Sequence, residues 1–273
     1  MKTVLIGANG QLGTAIQTLY PETISLSHKD IDIIDRNTFK VIGKPDVIIN
    51  AAAYNEVDEA EDRPEHAYDI NAIGVFNLAK YCKEVGATLV HISTDYVFGG
   101  DTERTVPYEE SDTPYPVNAY GISKLSGELF VQYTLEKYFI IRTTGLFGKS
   151  NSSKVNFVDR MLSLKNEKEI RVVNDQTVSP TYTKDLAKQI MQIIETENYG
   201  LYHAVSNDSC TWYEFAKEIL GDPKNLIPVT SEEFHAKARR VSYSVLSTDK
   251  LTRLGINCMR SWKEGLKDYL HEL

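Results

Sequence analysis

Tyr120 and Lys124, four residues apart in the run Tyr-Gly-Ile-Ser-Lys, carry the first chemical suggestion in the sequence. On a helix that spacing puts both side chains on one face, with the ammonium beside the phenol. A free phenol keeps its proton until about pH 10, and a neighbouring cation favours the phenolate and lowers that value. A tyrosine tuned this way passes a proton near neutrality, as general acid–base catalysis requires. The pair alone is not distinctive in a chain with 16 tyrosines, where an aromatic beside a snorkelling surface lysine is the plainer reading. Upstream, Thr94 in Ser93-Thr94-Asp95-Tyr96 offers a hydroxyl that could bond a substrate carbonyl and complete a triad. The alternative for Ser93 and Thr94 is that they cap a turn.

These side chains need a scaffold, and the N-terminus supplies its first part. The apolar run 1–6 fits a buried parallel strand. It is followed by Gly7, Ala8, Asn9, Gly10, Gln11, Leu12 and Gly13, then by a helix-like run over 14–19. Strand, glycine turn and helix make a dinucleotide site. Glycines allow the tight turn and close approach to pyrophosphate, and the helix N-terminus offers N–H groups and positive dipole. The spacing G-x-x-G-x-x-G resembles that of the short-chain dehydrogenase/reductase superfamily. Further strands are expected over 23–27, 46–50, 88–93 and 138–143, with a long helix over 64–85. Asn71 falls on the apolar face of that helix, where a buried amide must find partners and so would order the site. Beyond 150, helices are expected over 156–164, 184–195 and 212–220 and after Ser261, strands over 170–173 and 201–205, and a loop over 175–181.

The expected architecture is α/β: a Rossmann-like doubly wound parallel sheet with a small, mostly C-terminal substrate-binding lobe. The NAD(P)-binding domain would span 1–150 and the lobe 151–273, with segments near 175–200 returning to the first domain. Length and composition agree, at 273 residues, 42% hydrophobic and 25% charged, ordinary values for a globular protein. The net charge of −8 argues against a nucleic-acid partner, which would demand a basic face. No apolar run approaches the roughly 18 residues of a membrane span, and the first strand begins too early for a signal peptide. Cys82, Cys210 and Cys258 form no metal or disulfide pattern, and the histidines are scattered. A cytoplasmic protein with no metal and no membrane partner is the expectation.

Several segments together resemble the dTDP-4-dehydrorhamnose reductase family, within the extended branch of that superfamily. They are Gly10 to Gly13, Asn50 to Tyr54 with Val57-Asp58-Glu59-Ala60-Glu61, Ser93 to Phe98, and Asn156-Phe157-Val158. Val172 to Gln176, Ser179-Pro180-Thr181 and Tyr243 to Leu246 continue the match in the family's order. The resemblance implies hydride transfer from NADPH, with NADH as a second donor, to the C4 ketone of a dTDP-linked sugar. Tyr120 would protonate the alkoxide, Lys124 would lower its pKa and hold the nicotinamide ribose, and Thr94 would bond the reacting oxygen. Gly7, Asn9, Gly10, Gln11 and Leu12 would hold the pyrophosphate, Asp32 and Ile33 the adenine end, and Ala52, Ala53, Tyr54 and Asn71 the other side of the cofactor. Asp95, Gly145, Asn156, Phe157, Asp175 and Gln176 would face the dTDP-sugar substrate, and Arg239 or Arg240 would pair with its diphosphate.

The chain departs from the family at two substrate positions. Gly145 stands where a tryptophan commonly packs on the sugar, and Val241 where a proline usually follows the arginines. Ala15 replaces the acid through which some members bind magnesium, so no metal-linked dimer is expected, only a monomer or a plain homodimer. The tip of the second strand, Leu26-Ser27-His28-Lys29, favours NADPH, because it shows no acid to repel a 2′-phosphate and Lys29 could attract one. Lys29 as a solvated surface charge is the alternative. Competing readings are a sugar-nucleotide dehydratase, which would need a glutamate where Tyr96 stands, an epimerase, and a non-catalytic NADP-binding regulatory subunit.

Overall fold

The computed structural model describes residues 1–152 and 154–273. The first half alternates β1 (Thr3–Ile6), α1 (Gln11–Leu19), β2 (Ile24–Leu26), β3 (Val47–Asn50), α2 (Glu59–Asp62), α3 (Pro64–Tyr68), α4 (Val75–Val85), β4 (Thr88–Thr94), α5 (Ala119–Thr134) and β5 (Tyr138–Thr143). The second half runs β6 (Leu146–Phe147), α6 (Phe157–Leu164), β7 (Ile170–Val173), β8 (Thr177–Val178), β9 (Thr181–Tyr182), α7 (Thr183–Glu195) and β10 (Gly200–His203). It ends with β11 (Cys210–Thr211), α8 (Trp212–Leu220), β12 (Leu226–Val229), α9 (Ser231–Phe234), α10 (Asp249–Arg253) and α11 (Trp262–Glu272).

Six strands form one sheet in the order β10-β5-β4-β3-β1-β2, and every neighbouring pair is parallel. Parallel strands buried on both faces must be apolar at successive positions, and β1 and β3 are buried at all four residues each. Alternate side chains leave on opposite faces. Leu5, Ile49, Val90 and Ile141 pack with Leu12 and Ile16 of α1 and with Leu186 and Ile190 of α7. Val4, Ile6, Ile48, Leu89 and Ile140 pack with Leu78 of α4 and Val131 of α5. Helices thus cover both faces, and the sheet's carboxyl edge is left for a ligand.

A second core gathers Phe147, Val158, Met161, Ile170, Tyr182, Phe215, Leu226, Trp262 and Tyr269. It is built from α6, α8, α11 and the parallel pair β7–β12. Between the two cores, α7 and β10 join the large sheet, β10 pairing with β5.

The helix expected over 64–85 is interrupted. A π-helical turn, Asp69–Gly74, separates α3 from α4 and carries the buried Asn71. Single π turns of this kind are frequent at functional sites. The segment expected as loop over 175–181 holds two short strands: β8 pairs with β11 and β9 with β6. β12 escapes the sequence pattern because Pro228 interrupts a short run whose Ile227 faces outward; α2, α9 and α10 are too short to show periodicity.

Candidate active site

Strand β4 delivers Thr94 to the carboxyl edge, beside Thr143 of β5. The chain then turns through a 3-10 segment, Asp95–Val97, whose first turn the Thr94 hydroxyl caps by accepting from the Tyr96 N–H at 3.2 Å. The capping role and a role in chemistry are therefore not exclusive. Thr94 Oγ1 also donates to Asp95 Oδ1 at 3.1 Å.

Helix α5 carries the tyrosine and lysine. Its N-cap is Asn118, whose side-chain oxygen accepts from the Gly121 N–H at 2.8 Å. The Ala119 N–H is taken by Glu61 of α2 at 2.8 Å. The helix lies so close to the Tyr96 segment that a Cβ on Gly121 would sit 2.2 Å from the Tyr96 carbonyl oxygen. This approach brings Tyr120 and Lys124 against β4. Tyr120 is buried, edge-on to Tyr96 with ring centroids 5.6 Å apart. Lys124 is also buried, its Nζ donating to the Ile92 carbonyl at 2.7 Å.

Burial corrects the expected tuning of the phenol. Desolvation raises the Tyr120 pKa, opposed by the Thr94 hydroxyl within bonding reach and reinforced by Asp95. The Lys124 ammonium is engaged by a backbone oxygen and does not set that value. Burial instead lowers Lys124 itself to about 8, with Glu128 one turn further along opposing the shift. Asp95 is pushed up to about 6 by burial, against the hydroxyls of Ser244, Thr144 and Thr94.

Beneath the pair, Glu128 of α5 accepts from Arg142 Nε and Nη2 of β5 at 2.9 and 2.7 Å, and from Ser93 Oγ of β4 at 2.5 Å. These buried groups tie α5 to two strands. Asn71 accepts from Tyr54 N–H at 2.9 Å and donates to the Tyr54 carbonyl at 2.8 Å and to Ser123 Oγ at 3.0 Å. Both of its donors are thus spent on protein. It clamps the Tyr54 loop to α5.

The glycine turn lies at the end of β1. Gly7 has φ +89°, and a Cβ there would meet the Ala52 nitrogen at 2.5 Å, so only glycine fits. Gly10 differs: the nearest protein atom to its Cβ would be the Gly7 oxygen at 3.5 Å, leaving its outer side open. Gly10 is also the N-cap of α1, which has no side-chain cap and no acid in its first turn. Free N–H groups and dipole therefore face outward. Gln11 Oε1 and the Tyr54 hydroxyl are buried without a partner among the described residues. Asn9 flanks the turn, its carbonyl accepting from Ser150 Oγ at 3.0 Å. Leu12 is buried, Ala52 is half-buried and Ala53 is exposed. The open side of Gly10 and the free N–H groups at the start of α1 suit a dinucleotide pyrophosphate.

At the adenine end, Ile33 is buried in the core and Asp32 accepts from the Ile34 N–H at 2.9 Å. The tip of β2 does hold a carboxylate: Asp30 turns back to accept from the Ser27 N–H and hydroxyl at 2.8 and 2.7 Å. The sequence reading stopped at Lys29, which is exposed.

The expected substrate residues divide. Asn156 caps α6 and donates to the Gly148 carbonyl, Asp159 and Tyr269, so its amide is committed to structure. Asp175 and Gln176 both bond Ser231 at the start of α9 and serve to fold the lobe. Arg240 is paired with Asp58 at 2.6 Å and with the Tyr96 hydroxyl at 3.4 Å. Arg239 is exposed, and among the described residues its guanidinium forms no ion pair or hydrogen bond; its carbonyl accepts from Asn118. Phe157 is half-buried against Trp212. Sequence reasoning gave no role to Asn118, Glu61, Asp58, Glu128, Arg142 or Trp212. Asn118 was the most detectable, as an N-cap residue just before Tyr120. Among the described residues, no group of three or more His, Cys, Asp and Glu is placed to hold a metal ion, and no helix is long and apolar enough to cross a membrane.

A nucleotide turn and a tyrosine–lysine helix on one parallel sheet characterise the extended short-chain dehydrogenase/reductases, and this fold is of that class. The family described as RmlD substrate binding domain matches residues 1–273. The spore coat polysaccharide biosynthesis protein SpsK of Bacillus subtilis is 41% identical, over 99% of this chain and 97% of its own length. The dTDP-4-dehydrorhamnose reductase of Mycolicibacterium smegmatis is 37% identical, over 98% and 84%. A crystal structure of dTDP-4-dehydrorhamnose reductase from Bacillus anthracis in complex with NADP superposes with a TM-score of 0.93 at 44% identity, covering 100% of both chains. The chain belongs to the dTDP-4-dehydrorhamnose reductase family and is an oxidoreductase.

Proposed function

We propose that this enzyme reduces the C4 ketone of dTDP-4-dehydro-L-rhamnose to dTDP-L-rhamnose with NADPH, NADH serving as a second donor. The observation that carries the reading is the buried Tyr120 beside Thr94, on the sheet edge that also holds the glycine turn. The nicotinamide supplies the hydride when bound; every other task falls to the chain. Gln11 and Leu12 would hold the pyrophosphate through backbone N–H groups, with Gly10, whose own N–H donates to the Gly7 carbonyl at 3.1 Å, giving it room to approach, and Lys29 would meet a 2′-phosphate. Arg239 would reach the substrate diphosphate, since Arg240 is held by Asp58.

Thr94 would orient the ketone oxygen. The raised pKa of Tyr120 keeps its proton in place until an alkoxide, a far stronger base than a phenolate, forms on the sugar. Burial thus suits an acid that acts in the reducing direction. Lys124, charged below about pH 8, would hold the nicotinamide ribose. The dehydratase reading lacks its base, because Tyr96 occupies that position and its hydroxyl faces Arg240.

Purified protein should oxidise NADPH when given freshly made dTDP-4-dehydro-L-rhamnose. Tyr120→Phe should lower kcat by about 100-fold or more while NADPH affinity changes little. NADPH binding without turnover of any 4-keto sugar nucleotide would instead establish the regulatory-subunit reading.

A further inference from the structure

Helix α5 has 16 residues, of which only Lys124 and Glu128 are charged. A surface helix normally leaves its charges on the wet face, yet these two are 2% and 1% exposed. Four residues apart, they share one helical face. Burying a charge is costly unless it is paired. Among the described residues the hydrogen bond of the Lys124 ammonium goes to the Ile92 carbonyl at 2.7 Å, which supplies a dipole and no counter-charge.

Two cations, Lys124 and Arg142, and one carboxylate, Glu128, lie buried where α5 meets β4 and β5. His91 of β4 is buried there too, with Asn50 Nδ2 3.3 Å from its Nδ1. Burial and the Lys124 charge push its pKa well down, so it stays neutral. Asp95, just past β4, acts on Tyr120 and not on Lys124. Glu128 alone opposes the burial that lowers Lys124. Its carboxylate is fixed in place, because Arg142 Nε and Nη2 and Ser93 Oγ occupy both oxygens. Ser93 precedes Thr94, so the same carboxylate ties the strand end that carries Thr94 to the helix that carries Tyr120 and Lys124. We propose that Glu128 is a positioning residue of the reaction: it is the buried counter-charge that holds the Lys124 ammonium in its charged form against β4. This rests on the proposed reduction, in which Lys124 holds the nicotinamide ribose, and adds the group on which that contact depends.

The test reads the alkaline limb of kcat/KM for NADPH, which lies at about pH 8 in wild type. Glu128→Gln removes the counter-charge, so the limb should move down by about one pH unit. The ratio of variant to wild type should therefore fall about tenfold between about pH 6 and about pH 9. A loss from packing alone would be equal at both. Glu128→Asp keeps the charge and should return the limb toward its wild-type position. Where Glu128→Gln does not fold, Glu128→Gln/Arg142→Met carries the test. It removes both members of the pair together, which folds tolerate far better than the loss of one, and its limb should still lie below that of wild type.

A second measurement needs no turnover. Calorimetric titration with NADPH, without any sugar, reads the same ionisation through the ribose contact. Wild type should bind more weakly from about pH 8 upward, and Glu128→Gln from about one unit lower. Wild-type turnover with limbs that coincide in wild type and the charge-removing variants overturns the counter-charge and leaves the reduction standing. Absence of wild-type turnover overturns the reduction, and the titration then decides the counter-charge by itself: separated limbs support it, and coincident limbs overturn it.

Discussion

Tyr120 and Lys124 meet β4 two residues apart, the phenol beside Thr94 and the ammonium on the Ile92 carbonyl at 2.7 Å. Lys124 therefore sets an alkaline limit. Above about pH 8 the free enzyme loses that charge, so kcat/KM, which reports groups of the free enzyme, should decline there. A profile flat to about pH 10, the range of an unperturbed lysine, would exclude Lys124 as the controlling group. Asp95 gives a stability test of opposite origin. Its folded pKa, about 6 against an ordinary 3.8, exceeds the unfolded one. Ionising it thus costs nothing below pH 3.8 and destabilises the fold progressively as pH rises toward 6. The full cost is roughly 3 kcal/mol. Asp95→Asn should melt higher than wild type at pH 8, and the difference should vanish near pH 4; thermal denaturation at both pH values measures it.

Helix α5 is positioned at its start by Asn118 and Glu61 and in its middle by Glu128. Glu128→Gln would leave Arg142, whose side chain is 3% exposed, without its counter-charge. Breaking such a buried pair costs about 3–5 kcal/mol, so the midpoint of urea unfolding should fall sharply while the slope stays unchanged. The strand–turn–helix at the N-terminus and strands β1, β3, β4 and β5 were legible because parallel, doubly covered strands leave mostly apolar runs. The tyrosine–lysine spacing was legible because helical geometry is local. What stayed illegible was non-local. Asn71, Asn156, Asp175 and Gln176 have the residue types of ligand contacts, yet they also bond Ser123, Tyr269 and Ser231. Nothing in the order of residues shows which partner a side chain will meet across 50 or more positions. The burial that raises the Tyr120 pKa was illegible likewise, since it depends on the whole surrounding structure.

Across the molecule, the late segment around Ala238 returns to α2. Asp58 accepts from the Ala238 N–H at 2.9 Å and from Arg240 at 2.6 Å, and Lys237 pairs with Asp62. The lobe and the nucleotide-binding half thus meet through the same short helix that supplies Glu61 to α5. The Val57-Asp58-Glu59-Ala60-Glu61 segment, which carried only a resemblance in sequence, has a mechanical meaning in the fold. The sheet shows the same long-range dependence. Its last strand, β10, comes from residues 200–203 and covers the edge of β5 at 138–143. During synthesis on the ribosome, some sixty further residues must emerge before that apolar edge is sealed, and unpaired edges invite aggregation. A fragment ending at residue 150 should accordingly sediment as insoluble material, whereas one reaching past α10, whose Leu251 joins the same core, should remain in the supernatant.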